Sequence, residues 1–187
     1  MNSNLVVPLK NYLFEFDQIL NEMANGMLTQ RTENSISAYF IVCMIPHHQA
    51  AIYMCQNLLR FTSDISLKRI ATNIIQTQTK GIVQMNEIMQ TLPPFQNTSM
   101  DTNFYNNTFY TITTAMITQM VSSKRGSSID LNFISEMIPH HEGAIEMCQN
   151  LIKYPIDPRL YKVAIHIIEE QSKGVQELKS LQEQLPH

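Results

Sequence analysis

A seventeen-residue segment occurs twice in this chain, and both copies contain two adjacent histidines. Residues 44–60 align without a gap to residues 137–153, and twelve of these seventeen positions are identical. Each copy opens with Met-Ile-Pro-His-His, which ends at His48 in the first copy and at His141 in the second. Shared apolar residues alone would indicate a duplicated helix. A pair of polar histidines repeated inside an apolar segment indicates a duplicated site as well.

The apolar residues of each copy follow the spacing of one broad helix face. Steps of three and four residues place His47 and His48 on two neighbouring apolar stripes, about 100° apart around the helix axis. His140 and His141 take the same places in the second copy. The proline before each pair removes a backbone donor. Because this proline recurs, we predict that it bends a continuous helix rather than ending it.

The repeat extends over most of the chain, since residues 12–93 align to residues 105–186 without a gap. The first half contains three predicted helices, over residues 10–28, 35–61 and 65–91, after a loose arm at residues 1–8. Pro186 is predicted to end the second half. We predict a single domain over residues 1–187, with a first half at 9–93 and a second half at 102–186, joined by a polar linker.

This pattern predicts an all-α fold, in which tandem duplication of a three-helix unit makes a ferritin-like four-helix bundle with two additional helices. Two helical hairpins related by an approximate twofold axis would bring the histidine helices together. The imidazoles of His47 and His140, or those of His48 and His141, are then expected within about 8 Å of each other.

The third predicted helix of each half carries two unusual residues. Gln78 and Gln171 lie on its apolar face, where a buried amide needs partners, and the histidines are the expected ones. Gly81 and Gly174 stand inside the same helices at a cost of about 1 kcal/mol each, so we predict that a neighbouring element approaches their backbone closely. His166 falls off the core face, and we expect it to be solvated.

Composition and charge exclude several classes of function. A net charge of −3 and a pI near 6.0 give no electrostatic reason to expect nucleic acid or an anionic membrane as a partner. No signal peptide or transmembrane segment is visible in the sequence, so we expect a cytoplasmic protein. Three cysteines, an odd number, favour reduced thiols over a disulfide framework.

Twelve methionines accompany the histidines, and several recur at equivalent positions of the repeat. Imidazole, thioether and thiol groups form a soft to borderline donor set, which suits Cu(I) and tolerates Zn(II). We therefore predict a metal ion as the partner, with copper first and zinc as the alternative. The candidate ligands are His47, His48, His140, His141, Met44, Met54, Met137 and Met147. The candidate supporting residues are Gln78, Gln171, Cys55 and Cys148.

The duplicated Met-Ile-Pro-His-His, the Ala-Ile-x-Met that follows at 51–54 and 144–147, and the downstream glutamine resemble the DUF305 family. The resemblance covers nearly the whole chain. It implies a ferritin-like four-helix bundle and makes the histidines and methionines named above the family's motif residues. It also implies copper binding or copper tolerance, a function found in some members, which are usually exported.

Three features depart from the family pattern. The acidic residue upstream of the motif is present as Asp130, but the first copy has Ser37 there. The family's Gln-x-x-Glu is Gln-x-x-Gly at both Gln78 and Gln171, so a carboxylate is missing from each half. No export signal is visible. If that glutamate helps bind metal in relatives, metal binding in this chain would be weaker, different or absent.

Two other interpretations are left open. In the first, the histidines and glutamines form a purely structural core of a non-catalytic scaffold or interaction protein. In the second, the chain is a di-iron oxidase, which needs inward carboxylates and a Glu-x-x-His motif. By spacing, Glu142 and Glu146 point away from the histidine stripe, which disfavours the oxidase, and we expect that the protein is not an enzyme.

The outer face of the first histidine helix differs from that of the second. It carries Cys43 and Tyr53 where the second copy has Glu136 and Glu146. These less polar residues indicate that the face is covered, either by the additional helices or by a second copy of the chain. A homo-oligomer is therefore a further expectation.

Overall fold

The computed structural model describes residues 3–29, 35–94, 97–123 and 125–185. Over these residues the chain forms six helices and no strand, which confirms the all-α prediction. None of the helices described has both the length and the apolar composition that crossing a bilayer requires. In chain order they are α1 (Ser3–Leu28), α2 (Ile36–Leu59), α3 (Ile65–Gln90), α4 (Ser99–Ser122), α5 (Ile129–Leu151) and α6 (Pro158–Gln184).

Serine caps begin both histidine helices. The side chains of Ser35 and Ser128 each accept a hydrogen bond from the backbone amide three residues further on, at 3.2 and 3.3 Å. Each bond satisfies a donor that a helix start would otherwise leave unpaired. Both helices then continue through their prolines, Pro46 and Pro139, as the repeated motif predicts.

The N-terminal helix is longer than the sequence predicts. Since α1 begins at Ser3, the prediction of a loose arm is wrong for residues 3–8, and residues 1 and 2 lie outside the described residues. The helix contains Pro8. A proline near a helix start removes a single backbone hydrogen bond, so the helix can continue through it. The predicted end of the second half at Pro186 also lies outside the described residues.

The histidine helices α2 and α5 form the middle layer of the molecule. α2 packs against α1, α3 and α5, while α5 packs against α4, α6 and α2; α3 also contacts α6, and α1 contacts α4. The helices thus form two four-helix rings that share α2 and α5. The ring with α3 and α6 is the predicted bundle, and the two additional helices, α1 and α4, close the second ring.

Because α2 and α5 have neighbours on several sides, residues predicted on their outer face are buried. The thiol of Cys43 is buried and donates a hydrogen bond to the Met27 carbonyl on α1 at 3.5 Å. Glu136, the equivalent residue of α5, is 0% exposed and accepts a hydrogen bond from the Tyr12 hydroxyl at 2.5 Å. The prediction that the additional helices cover this face is therefore confirmed at Cys43, whereas Glu136, expected on the polar face of the second copy, is buried instead. Tyr53, by contrast, is 43% exposed.

Candidate metal centre

His47 of α2 and His140 of α5 meet where the two halves of the chain pack together. Their ring centroids lie 3.7 Å apart with 26° between the ring planes, so the imidazoles stack and the expected approach of the two rings is confirmed. Nε2 of His47 donates to the His140 carbonyl at 3.2 Å, and Nε2 of His140 donates to the His47 carbonyl at 3.1 Å. Because a carbonyl only accepts, each Nε2 carries the proton and each Nδ1 keeps its lone pair.

All four motif histidines are buried and neutral. Desolvation lowers the pKa of His48 to about 3 and the pKa of His140 to about 4. Desolvation also lowers the pKa of His47 and of His141 well below the usual value, and the neighbouring imidazoles act in the same direction. Neutral imidazole is the form that binds a metal ion, so these side chains are ready to coordinate without losing a proton.

His48 and His141 point towards the outer helices α3 and α6, where they line a cavity of about 140 Å³. Gly81 and Gly174 form part of its wall. A Cβ atom on Gly81 would lie 2.8 Å from Cδ2 of His48, and one on Gly174 would lie 2.7 Å from Cδ2 of His141. Each glycine therefore makes room for an imidazole, which confirms the predicted close approach to the helix backbone.

Gln78 and Gln171 line the same cavity, and each is only 3% exposed. Within the described parts of the chain, their Oε1 atoms and the Nδ1 atoms of the four histidines have no hydrogen-bond partner. The predicted pairing of these amides with the histidines is therefore not formed at the amide oxygens, which accept no hydrogen bond. Leaving a buried polar atom unpaired costs about 1–3 kcal/mol, and several such atoms in one region indicate a site suited to a ligand.

The four candidate methionines are buried in the hydrophobic core, and by helical spacing they share the stripe of His47 and His140. The side chains that line the cavity do not include them. The structure thus divides the predicted ligand set into two groups. One is the pair of imidazoles at the cavity, and the other is the stacked pair with the thioethers of Met44, Met54, Met137 and Met147.

The cysteines are buried free thiols. Burial raises the pKa of Cys43 to about 12 and raises the pKa values of Cys55 and Cys148 as well. Since the thiolate is the form that binds metal, these groups act as small apolar side chains at neutral pH. Among the residues that the structure describes, no three His, Cys, Asp or Glu side chains converge to hold a metal ion. A metal site here would therefore combine two imidazoles with donors of other kinds.

Sequence reasoning missed Glu136, a buried carboxyl on the side of α5 that faces away from the cavity. Burial raises its pKa to about 8, although the hydrogen bond from Tyr12 acts in the opposite direction. Tyr12 recurs in the repeat as Tyr105, but Cys43 stands where the second half has Glu136. The available signal in the sequence was that both halves share this tyrosine, whereas Cys43 in the first half is replaced by Glu136 in the second.

The fold and the site together define a class: an all-α protein whose two central helices each contribute a buried, neutral histidine pair. The model of the family described as a domain of unknown function, DUF305, matches residues 18–89 and residues 37–182. These matches include most of the chain, so the chain belongs to the DUF305 family, as its motifs predict. No curated protein matches the sequence.

Several solved structures share this fold. The silver-bound form of CopM obtained by soaking has a TM-score of 0.60 and 27% identity, and the match covers 85% of this chain and 100% of that one. CopM in its Cu(I)-bound form has a TM-score of 0.58 and 30% identity, with 83% of this chain and 98% of that one covered. A DUF305 fragment from Deinococcus radiodurans is similar in fold, with a TM-score of 0.61, 18% identity, and coverage of 83% and 100%.

Proposed function

We propose that this protein binds a soft metal ion, Cu(I), at its histidine pairs, and that it stores or handles the ion without acting on an organic substrate. One observation carries the proposal: four buried, neutral imidazoles from both halves of the chain lie around the contact between α2 and α5. A purely structural core would not need polar nitrogen atoms left unpaired there.

The cavity pair, His48 and His141, fits the ion best. The lone pair of an imidazole lies in the ring plane, so the stacked rings of His47 and His140 cannot both point at one ion between them. Their reciprocal hydrogen bonds instead hold α2 against α5. His48 and His141 line an open space, and Cu(I) accepts soft and borderline neutral ligands such as imidazole.

The methionines provide a second donor set beside the stacked pair. Thioether ligands favour Cu(I) and need no deprotonation. Met44 and Met137 lie one helix turn from His47 and His140 and would coordinate with them once the stack opens, which requires breaking the two hydrogen bonds to backbone carbonyls. Met54 and Met147 lie two turns away, about 10 Å along the helices. Zn(II) is the alternative ion, since imidazole is also among the ligands that it accepts.

The relatives support a soft ion. CopM, which is similar to this chain at 26–30% identity, has structures in Cu(I)-bound, Cu(II)-bound and silver-bound forms. Silver(I) and Cu(I) are both soft monovalent ions. The departure of this chain from the family, a glycine in place of each Gln-x-x-Glu carboxylate, removes a hard donor from both halves and leaves a softer site.

A thermal-shift titration with Cu(I), Zn(II) and Fe(II) under reducing conditions tests the proposal. An ion at 100 times its dissociation constant that binds only the folded state adds about 2.7 kcal/mol of stability. We expect this shift with Cu(I), and we expect its loss in a folded His48→Ala, His141→Ala variant. The His47→Ala, His140→Ala variant is the matched control, and it should retain binding if the stacked pair is structural.

Two other results would replace the proposal. No shift with any of the three ions would favour the scaffold interpretation, in which the histidines only hold the halves together. A shift with Fe(II) alone would favour the di-iron oxidase.

A further inference from the structure

The residues that line the cavity between α3 and α6 form pairs at equivalent positions of the repeat. There are eighteen of them, nine from each half. Five of the pairs are identical, including the histidines, the glutamines and the glycines described above, and a sixth, Ile70 and Val163, is aliphatic in both halves. The two walls of the cavity are therefore chemically alike over most of their extent, and the remaining three pairs show where they differ.

All three differences place a titratable side chain on α6 opposite a neutral one on α3. The α6 residues are His166, Glu170 and Glu177, and their counterparts on α3 are Asn73, Thr77 and Gln84. Side chains four residues apart on a helix are neighbours, with Cβ atoms about 6 Å apart. His166 and Glu170 therefore lie side by side along one edge of the cavity. The equivalent residues of α3 include neither an imidazole nor a carboxylate.

Both side chains are accessible to an incoming ion. His166 is exposed, and Glu170 is partly exposed where it lines the cavity. Glu170 accepts a hydrogen bond from Lys173 at 2.8 Å in an ion pair on the same helix. An exposed pair of this kind contributes little to stability, so a metal ion can displace the lysine. The unpaired Oε1 of Gln171 belongs to the same cavity and is nearly fully buried.

We propose that His166 and Glu170 form a separate metal site at the edge of the cavity, which takes a borderline divalent ion such as Zn²⁺. Two residues four apart on one helix, one of them an imidazole and the other a carboxylate, match the ligand types that zinc accepts. Water completes the coordination, because no three such side chains converge within the described residues. Lys80 and Lys173 bring positive charge to the same cavity, which keeps the affinity modest.

The site is tested by titrating metal-free protein with Zn²⁺ while the histidine ring resonances are followed by NMR. We expect the His166 ring to shift and to saturate at one equivalent. The ring resonances distinguish this site from binding at the buried pairs, so the outcome does not depend on the Cu(I) proposal.

Exchanging residues between equivalent positions of α3 and α6 gives matched variants. His166→Asn, which copies Asn73 of α3, should abolish the interaction, and Glu170→Gln should weaken it at least tenfold. The reciprocal variant Asn73→His with Thr77→Glu should gain a second equivalent site on α3. An unshifted His166 ring would overturn the proposal. So would equal affinity of the Glu170→Gln variant and the natural protein, because it would show an exposed histidine binding alone.

Discussion

Gly81 and Gly174 decide the shape of the histidine site. Glycine costs about 1 kcal/mol inside a helix relative to alanine, so the sequence accepts this cost twice. The structure explains why, since the ring of His48 or His141 occupies the place next to each glycine. Both glycines also line the cavity, beside the imidazole and amide groups of the two halves.

Gly81→Ala is expected to destabilise the protein despite the better helix propensity of alanine. Its new Cβ would lie 2.8 Å from the His48 ring, and overpacking a core costs about 1–3 kcal/mol. Urea unfolding measures the change. In a His48→Ala background the same substitution should become neutral or stabilising. Gly126→Ala is the control, because a Cβ there meets only one atom, at 3.9 Å; an equal cost at both positions would contradict the account.

The additional helices α1 and α4 pack on the histidine helices α2 and α5 through contacts that are only partly equivalent in the two halves. Asn57 donates to the Tyr12 carbonyl at 2.9 Å, and Asn150 donates to the Tyr105 carbonyl at 3.3 Å. The tyrosine hydroxyls differ, however. That of Tyr12 is bonded to Glu136, whereas that of Tyr105 is buried with no hydrogen-bond partner among the described residues.

Because the two hydroxyls differ, replacing tyrosine by phenylalanine should destabilise the protein at Tyr12 but not at Tyr105. Tyr12→Phe leaves the buried carboxyl of Glu136 without its donor and should cost about 1–3 kcal/mol. Tyr105→Phe removes a hydroxyl that makes no bond, so it should be neutral or slightly stabilising. Free energies of unfolding for the two variants at one pH provide the comparison. Equal losses would show that the bond from Tyr12 to Glu136 contributes little.

The elements themselves could be predicted from the sequence, because helical period and caps are local properties. Ser35 and Ser128 begin the histidine helices, and the histidines lie in the core, as their spacing requires. The period does not show which neighbour each face meets, and α2 and α5 have several neighbours. Cys43 and Glu136 were for this reason expected on an outer face.

The stacking of His47 on His140 also lay beyond sequence reasoning. Their proximity follows from packing two equivalent helices against each other, but the hydrogen bonds to opposite carbonyls depend on the rotation of one helix about its own axis. The same rotation decides that His48 and His141 face the cavity. Which imidazoles are available to an ion is therefore a property of the tertiary structure.

The whole molecule should be most stable at about pH 7 in its metal-free form. The folded-state pKa values of the four histidines are lowered, so the unfolded chain binds more protons below about 6.5 and stability falls as the pH drops. The pKa of Glu136 is raised to about 8, so the folded state holds a proton that the unfolded state loses. That contribution makes stability fall as the pH rises from 4.5 to about 8.

The number of titrating groups decides whether the histidines or Glu136 dominate the change of stability with pH. Each fully titrating group changes stability by about 1.4 kcal/mol per pH unit. At pH 6.5 the four histidines of the unfolded chain still bind about two protons, against about one that the folded state holds at Glu136. The two contributions balance at about pH 7, and the carboxyl dominates above it. Urea unfolding between pH 5.5 and 8.5 should show this maximum, and Glu136→Gln should remove the decline between pH 7 and 8. A flat profile from pH 5.5 to 7.5 would contradict buried neutral imidazoles.

The two-ring architecture places the histidine pairs at the centre of the molecule, with the cavity between α3 and α6 as the space in front of His48 and His141. The chain thus places one imidazole from each half at a cavity that exists only in the folded state. Binding at this centre would couple the halves, and Cu(I) would act as a bridge between α2 and α5. Association of two copies of the chain stays a prediction.

Cu(I) stoichiometry, measured under anaerobic reducing conditions by competition with a chromogenic chelator, shows whether His48 and His141 hold the ion. We expect the natural protein to withdraw one equivalent of Cu(I) through the cavity pair. The His48→Ala, His141→Ala variant should lose this equivalent, while the His47→Ala, His140→Ala variant should keep it. Withdrawal of the same amount of Cu(I) by the natural protein and the cavity-pair variant would contradict the account.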